Sequence, residues 1–240
     1  MNPPDYFNRV AAITGGLWEQ LKDPVLAGPW KQLFAQVQSP RHVLSELLQN
    51  ADDAGAKSAS VRVVNNEFVF EHDGEDFNEE QFQSLCRFGY SNKRNLHTIG
   101  FRGVGFKSTF SLGDRVRIQT PTLDVYFDRE RFTLPVWSTN ATGTARTRIS
   151  VRFADKPRER QLRMNFEEWA TSPVSLLFFR NLRELAIETH SVRKDIVGAG
   201  PIVGSQRIRL TGASTEELLL IRSAEEAFPA DVQGGIGVTS

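Results

Sequence analysis

The clearest structural pattern in the chain is ELLQNADDAG, residues 46–55. Its apolar residues recur at the three- and four-residue spacing of an amphipathic helix, and Gly55 ends the pattern. At about 100° per residue, Asn50 lies about 40° from Glu46, and Asp53 lies about 20° to the other side. We therefore predict one helix that carries these three polar side chains on a single face.

This polar face has two interpretations. A carboxylate and an amide oxygen at this spacing can hold a water molecule and a hard cation such as Mg²⁺ beside phosphates. The plainer alternative is an amphipathic helix whose polar side is simply solvated. The helix alone leaves both interpretations open.

A second polar segment, HDGEDF at residues 72–77, directly follows an alternating run that predicts a strand. Gly74 lets the backbone pass close to a flat ligand, and the Asp73 carboxylate can accept a hydrogen bond from an exocyclic amine. Asp-Gly is also one of the commonest turn signals, so an ordinary turn is the alternative.

The third segment is TIGFRGVGFKS, residues 98–108. Gly100, Gly103 and Gly105 leave backbone N–H groups to converge on an anion, and the predicted helix that follows points its positive end there. One residue separates the last glycine from Lys107, so this is not the usual P-loop, and the third glycine of a dinucleotide fingerprint is missing. A surface loop without a ligand is the alternative.

Two smaller signals accompany these segments. Ser91 and Lys93 offer a hydroxyl and an ammonium that can reach phosphate oxygens. Thr144 and Thr147 stand around the start of a late predicted strand, where a hydroxyl can support a base-binding carboxylate. Each of them alone is equally compatible with a structural role.

The rest of the pattern predicts an α/β (α+β) two-layer sandwich in which a mixed, mostly antiparallel sheet is covered by helices on one face. Helices are expected within 5–37 (two pieces) and at 78–88, 105–112 and 163–171. Residues 175–179 are expected to be buried. Strands are expected at 60–64 and 67–71, a hairpin turning at residues 65–66, and then at 116–119, 123–127, 147–153, 184–189, 206–210 and 218–222.

Composition is that of an ordinary globular protein. The 240 residues include 29 Lys and Arg against 29 Asp and Glu, so net charge gives no general attraction to nucleic acid or membranes. No apolar run approaches the roughly 18 residues that cross a bilayer. The single cysteine, Cys86, suits a reducing compartment, and the first residues lack a secretion-signal pattern. We expect a cytoplasmic location with no membrane partner.

The order of the segments resembles the GHKL superfamily, which joins gyrase, heat-shock chaperones, histidine kinases and MutL on the Bergerat ATP-binding fold. The matching features are Glu-x-x-x-Asn-x-x-Asp on a helix, a strand ending in Asp-Gly, a Gly-x-x-Gly-x-Gly lid, and Gly-Thr before a strand. They cover roughly residues 40–153. ELLQNADDAGA (46–56), FNEEQF (77–82) and SLLFFRNL (175–182) resemble the chaperone and sacsin branch, whereas FGYSNK (88–93) is similar to the MORC branch.

The resemblance implies roles for individual residues. Glu46 corresponds to the general base that deprotonates the attacking water, and Asn50 to the ligand of Mg²⁺. Asp53 has a supporting role near the phosphates and adenine, and Asp73, with Gly74 beside it, reads the adenine amine. The remaining nucleotide-binding residues implied are Ser91, Lys93, Gly100, Gly103, Val104, Gly105, Phe106, Lys107, Thr144 and Thr147.

One feature departs from the family pattern. The Asp-x-Gly-x-Gly motif becomes DGEDF at residues 73–77, so both later glycines are missing. The expected organisation is a helical extension at 1–38 packed on the domain, an ATP-binding domain at 39–225, and a flexible tail or linker at 226–240. Expected ligands are ATP or ADP and Mg²⁺, and expected partners are a second copy in the ATP state and effector domains or proteins outside this chain.

The resemblance implies slow ATP hydrolysis that drives a conformational switch. A nucleotide-binding interaction module without useful turnover is the second hypothesis, and the altered glycines favour it slightly. A histidine kinase is a weaker alternative, because none of the four histidines lies in a recognisable phosphoacceptor helix. Acidic residues among the basic ones at 156–163 indicate a solvated face there rather than a nucleic-acid site.

Overall fold

The computed structural model describes residues 1–20, 40–87 and 105–221. The α-helices in these ranges are α1 (Asp5–Gln20), α2 (Pro40–Asp53), α3 (Glu79–Leu85) and α4 (Lys156–Thr171), with 3-10 helices at Gly105–Ser111, Arg129–Arg131 and Pro173–Phe178. The strands are β1 (Ser58–Val64), β2 (Glu67–His72), β3 (Arg115–Gln119), β4 (Asp124–Asp128), β5 (Val136–Trp137), β6 (Thr147–Arg152), β7 (Glu184–Ile187), β8 (His190–Ala199), β9 (Ser205–Thr211) and β10 (Thr215–Ile221).

These strands form one mixed sheet in the order β10-β9-β8-β7-β1-β2-β6-β3-β4-β5. Within the described ranges β1 and β7 pair in parallel, and the other neighbours pair antiparallel. The predicted architecture, a mostly antiparallel sheet with helices, is therefore confirmed. Parallel pairing of β1 with β7 brings a segment more than a hundred residues downstream beside the start of β1.

The two faces of the sheet differ in chemistry. On β2, Phe68 and Phe70 are buried in the core, and the Phe68 ring lies 6.4 Å from that of Phe166 on α4. On the other face, Glu71 forms ion pairs of 2.8 Å with Arg62 and 2.7 Å with Arg148 on the neighbouring strands. This alternation has the period of two that a half-buried strand requires.

The central helix α2 is held by its leucines. Leu44, Leu47 and Leu48 are each at most 1% exposed. Full burial of such a side chain contributes about 1.5–3 kcal/mol. The apolar stripe of α2 therefore fixes which of its faces turns outward, and with it the position of the polar residues predicted above.

The hairpin between β1 and β2 turns at Asn65 and Asn66, as expected. Both residues have positive φ, 52° and 66°, the left-handed conformation that the two central residues of a type I′ turn adopt. Asparagine tolerates this region better than other residues with side chains. The hairpin register places His72, the last residue of β2, opposite Ala59.

The described part of the N-terminal extension packs on the sheet edge and on α3. The Tyr6 hydroxyl donates to the Phe77 carbonyl at 3.1 Å. The Phe7 ring lies 5.9 Å from Phe82 and 5.1 Å from Trp137. The boundaries at residues 38 and 225 remain predictions.

Several element predictions need correction. α4 begins at Lys156 rather than at residue 163, because Asp155 caps it by accepting from the Arg158 N–H. The segment 175–179 was expected to be buried, yet Phe178 is 77% exposed on a 3-10 helix. The expected helix at 105–112 is also a 3-10 helix, and β5 and β8 were not expected. The second helical piece of 5–37, the glycine segment as far as Val104 and the tail at 226–240 lie outside the described residues.

Candidate functional site

The polar residues of α2 lie away from its leucine stripe. Glu46 and Asn50 are half-buried, and Asp53, in the last turn of the helix, is exposed. This distribution follows from the helical period, since the leucines occupy the opposite side. The predicted face of Glu46, Asn50 and Asp53 is therefore present in the structure.

Asp52 is a residue that sequence reasoning missed. It is 8% exposed, and its carboxylate accepts hydrogen bonds from the backbone N–H groups of Arg180, Asn181 and Leu182 at 2.9, 2.7 and 2.8 Å. The Asn181 side chain donates in return to the Asp52 carbonyl at 2.9 Å. Asp52 therefore ties the end of α2 to the segment that enters β7. The doubled aspartate at 52–53 was the available signal.

The turn after β2 packs directly against the end of α2. The Glu75 N–H donates to the Ala54 carbonyl at 2.9 Å. A Cβ atom on Gly74 would lie 2.8 Å from that carbonyl oxygen and 3.0 Å from the Ala54 Cβ. Only glycine allows this approach, so Gly74 has a packing role here that holds independently of any ligand.

Asp73 accepts several hydrogen bonds at the start of β1. Its Oδ1 accepts from the N–H groups of Lys57 and Ser58 at 2.8 and 2.9 Å, and its Oδ2 accepts from the Ser58 hydroxyl at 2.8 Å. Arg146 approaches Oδ2 at 3.4 Å. Partial burial raises the pKa of Asp73, but the Ser58 and Lys57 donors and the Arg146 charge outweigh it and lower the pKa overall. The carboxylate is therefore ionised and acceptor-only at neutral pH.

His72 and Thr147 are paired across β2 and β6 on the buried side of the sheet. Burial lowers the pKa of His72 to about 4, so the ring is neutral at pH 7. Its Nδ1 accepts from the Gly74 N–H at 3.1 Å. Thr147 is 1% exposed, and its hydroxyl has no hydrogen-bond partner within the described chain. A buried polar group without a partner needs an explanation, such as a water molecule or a ligand.

Thr144 belongs to the loop that leads into β6. Its hydroxyl donates to the Arg146 carbonyl at 2.5 Å, and its N–H donates to the Thr120 carbonyl at 3.1 Å. A Cβ on the preceding Gly143 would lie 3.0 Å from the Pro121 carbonyl oxygen. This Gly-Thr pair therefore fixes the loop and sets the direction in which Arg146 leaves the backbone.

The segment after the predicted lid turns inward. Gly105 begins a 3-10 helix in which Phe106 and Lys107 are both buried. The Lys107 ammonium donates to the Leu85 carbonyl and lies 4.8 Å from the centre of the Phe106 ring. Burial lowers the pKa of Lys107 to about 8. In this structure the ammonium lies between the Leu85 carbonyl and the Phe106 ring, and the nucleotide-binding role of Lys107 stays a prediction.

The structure brings one group of the predicted residues together. The turn with Asp73 and Gly74 lies against the end of α2, and β6 carries Thr147 beside His72. Ser91, Lys93, Gly100, Gly103 and Val104 lie outside the described residues, so their positions remain predictions.

Comparison with known proteins identifies the class of this chain. Residues 38–163 match the family of histidine kinase-, DNA gyrase B- and HSP90-like ATPases. The chain belongs to this family of ATPase domains, and the GHKL resemblance is confirmed at that level. The sacsin-like and MORC-like features stay predictions.

A curated protein is also similar to part of this chain. The chain is 32% identical over 149 residues to the DNA mismatch repair protein MutL of Chlorobium phaeovibrioides, a match that covers 55% of this chain. It spans 24% of that protein's length, so the relative has large parts outside the match.

Two further observations concern the described ranges. No helix there is long and apolar enough to cross a membrane. Those ranges also contain no group of three or more His, Cys, Asp or Glu side chains arranged to hold a metal ion.

Proposed function

We propose that this chain binds Mg-ATP and hydrolyses it slowly, in a pocket bounded by α2, the turn after β2 and the start of β6. Family membership supports nucleotide binding. The observation that carries the proposal for this chain is the Thr147 hydroxyl, which is buried and without a partner in the described structure. Leaving such a group unpaired costs about 1–3 kcal/mol, so a partner that arrives with the ligand offsets this cost.

Adenine recognition in this proposal depends on Asp73. An ionised carboxylate accepts hydrogen bonds and cannot donate them, which suits the exocyclic amine of adenine. Gly74 keeps side-chain atoms out of the turn beside it. Thr147 supports the base from the neighbouring strand, directly or through water.

The phosphates would lie along the polar face of α2. Asn50 offers an amide oxygen, a hard donor that fits Mg²⁺, and this ion usually takes few protein ligands and completes its shell with phosphates and water. When bound, Mg²⁺ neutralises charge on the phosphate oxygens. Asp53 supports the same region, and by resemblance the lid glycines Gly100, Gly103 and Gly105, with Val104, Ser91 and Lys93, cover the phosphates.

In the hydrolysis step, water attacks the γ-phosphorus while the bond from that phosphorus to the ADP oxygen breaks. Glu46 accepts the proton that the water loses, which requires the carboxylate to be within hydrogen-bond reach of that water. By resemblance, the glycine lid couples nucleotide state to the shape of the domain. ATP-dependent pairing of two copies and action on effector domains outside this chain belong to the same proposal.

The binding test is calorimetric titration of Mg-ATP into the wild-type protein and into Thr147→Val and Asp73→Asn. Thr147→Val is the sharper variant, because valine keeps the shape and removes a hydroxyl that bonds nothing in the described structure. We expect it to weaken ATP binding about 3- to 10-fold while leaving the free energy of unfolding unchanged or higher. Glu75→Gln, an exposed carboxylate in the same turn, is the matched control and should bind as the wild type does.

Asp73→Asn should weaken binding more strongly, but it also disturbs the contacts to Lys57 and Ser58. Its urea unfolding midpoint is therefore measured beside its affinity. No heat from the wild type with ATP, ADP or a non-hydrolysable analogue would refute nucleotide binding. Wild-type affinity in both Thr147→Val and Asp73→Asn would refute the placement of adenine.

The catalytic assignment has its own test. Glu46→Ala should bind ATP and release phosphate at least 100-fold more slowly than the wild type. Gln49→Ala is the control, because Gln49 lies three residues after Glu46 on α2 and is also half-buried. Binding of ATP by Glu46→Ala with hydrolysis at the wild-type rate would remove Glu46 from the mechanism.

A second candidate is a nucleotide-binding interaction module without useful turnover. Two observations favour it: the two glycines missing from the Asp-x-Gly-x-Gly motif, and the full burial of Lys107, whose ammonium donates to the Leu85 carbonyl. It predicts ATP-dependent self-association, seen by sedimentation, with no phosphate release above the Glu46→Ala background. Measurable release by the wild type alone would exclude it.

A further inference from the structure

Most acceptor sites of Asp73 are already occupied in this structure. An ionised carboxylate has about four lone-pair sites. Two are taken on Oδ1 by the N–H groups of Lys57 and Ser58, and one on Oδ2 by the Ser58 hydroxyl. The remaining site is on Oδ2, the oxygen that the Arg146 guanidinium approaches at 3.4 Å as an ion-pair partner. An adenine amine that binds Oδ2 therefore shares this oxygen with the Arg146 cation.

The donors differ in how easily they can leave. The two backbone N–H groups belong to the entry of β1, where Ser58 pairs with Glu184 of β7. The sheet therefore holds these two donors in place. The third donor, the Ser58 hydroxyl, belongs to the short side chain of one of these two residues. Arg146 makes the longest of the four contacts, and its side chain is 43% exposed, so it can move into solvent at little cost.

The position of Arg146 is nevertheless set by the fold. His72 and Thr147 are the last paired residues of the β2–β6 ladder, and Asp73 and Arg146 are the next residues along. The Thr144 hydroxyl binds the Arg146 carbonyl, and the Arg146 guanidinium also donates to the Ser58 hydroxyl oxygen. Arg146 thus contacts both side chains at the site where the base amine is expected.

We propose that Arg146 is a specificity-determining residue that competes with the adenine amine for Asp73 and so lowers the preference of the site for adenine over 6-oxopurines. The inference rests on the proposed function, because it requires a base at Asp73. A 6-oxopurine such as hypoxanthine presents a carbonyl in place of the amine. That carbonyl is repelled by Asp73 but accepts a hydrogen bond from Arg146. Arg146 therefore opposes one base and assists the other.

The test compares ADP with inosine diphosphate by calorimetry in the full chain. The two ligands carry the same phosphates, so the effect of a removed positive charge on phosphate binding cancels in the ratio of their Kd values. Arg146→Gln should raise the ratio Kd(inosine diphosphate)/Kd(ADP) about two- to five-fold, the effect expected for losing one exposed ion pair. In Arg146→Gln, the contribution of the adenine base to ADP binding should be no weaker than in the wild type.

Two further variants separate competition from general effects. Arg152→Gln removes the same charge from an exposed arginine at the other end of β6, and its ratio should match the wild type. Arg146→Lys keeps a cation beside Asp73 and should lie near the wild-type ratio. All three variants should keep the wild-type urea midpoint, since exposed side chains rarely change stability by more than about 0.5 kcal/mol.

An unchanged ratio in Arg146→Gln, or one shifted equally in Arg152→Gln, would overturn the competition. A lowered ratio would overturn it too, because Arg146 would then be assisting adenine. If the wild type binds neither diphosphate, the proposed nucleotide site itself fails, and that outcome is distinct from an unchanged ratio between two ligands that both bind.

Discussion

Replacing Asp52 should destabilise the protein more than replacing any of the polar residues on the outer face of α2. Asp52→Ala removes a buried carboxylate and leaves the N–H groups of Arg180, Asn181 and Leu182 without their acceptor. A hydrogen bond to a charged group contributes about 1.5–3 kcal/mol, and the three share one carboxylate, so we expect a loss of about 3–5 kcal/mol in the free energy of unfolding.

The graded variant Asp52→Asn tests the geometry. Oδ1 accepts from both Asn181 and Leu182, and Oδ2 accepts from Arg180. An asparagine whose carbonyl takes the Oδ1 position keeps two of these bonds and turns its NH₂ group toward the Arg180 N–H. The expected loss is about 1–2 kcal/mol, well below that of alanine.

The assay is urea unfolding followed by tryptophan fluorescence and circular dichroism, with Glu167→Ala as control. Glu167 is exposed on α4, and its replacement should change the free energy of unfolding by less than about 0.5 kcal/mol. Equal losses for Asp52→Ala and Asp52→Asn would refute the assignment of the individual acceptor atoms. Losses within 0.5 kcal/mol for both would refute the role of Asp52 in holding the entry to β7.

Three further outcomes are expected. Because burial lowers the pKa of His72 from 6.5 to about 4, the unfolded chain binds a proton in that window that the native ring does not. The free energy of unfolding should therefore fall as pH falls from about 6.5 to 4, by up to about 3 kcal/mol, and His72→Gln should lose this contribution; identical pH profiles would contradict it. Gly74→Ala should lower the free energy of unfolding by about 1–3 kcal/mol, since its Cβ would lie 2.8 Å from the Ala54 carbonyl oxygen. Gly16→Ala in α1, where nothing lies within 4 Å of the added Cβ, should be neutral or stabilising by up to about 1 kcal/mol. Thermal unfolding that ranks the two variants the other way would refute the turn packing. Cys86 is 1% exposed and burial raises its pKa to about 12, so a thiol reagent should label it only on unfolding; complete labelling of the native protein within the mixing time would show that the thiol is accessible.

Local patterns predicted the elements whose stability is local. The helix around residues 46–53 and the hairpin turning at Asn65 and Asn66 follow from apolar periodicity and from turn chemistry within a few residues. β5 could not be predicted, because its two residues are too few to show the alternation of a strand. The predicted start of α4 at residue 163 is seven residues late, because the Asp155 cap and the adjoining Pro157 begin the helix before its apolar period is readable.

The class of protein can be predicted from the chain as a linear string, since the order of the polar helix, the Asp-Gly turn, the glycine segment and the Gly-Thr loop is a linear property. How the individual residues are used depends on tertiary contacts. Asp52, not its neighbours, meets the segment at residues 180–182, about 130 positions away, because the parallel pairing of β1 with β7 brings that segment to the end of α2. Arg146 reaches Asp73 because the β2–β6 register ends one residue earlier, and Lys107 faces the core because its 3-10 helix packs inward. Such contacts depend on register and packing between distant segments, which no local pattern encodes.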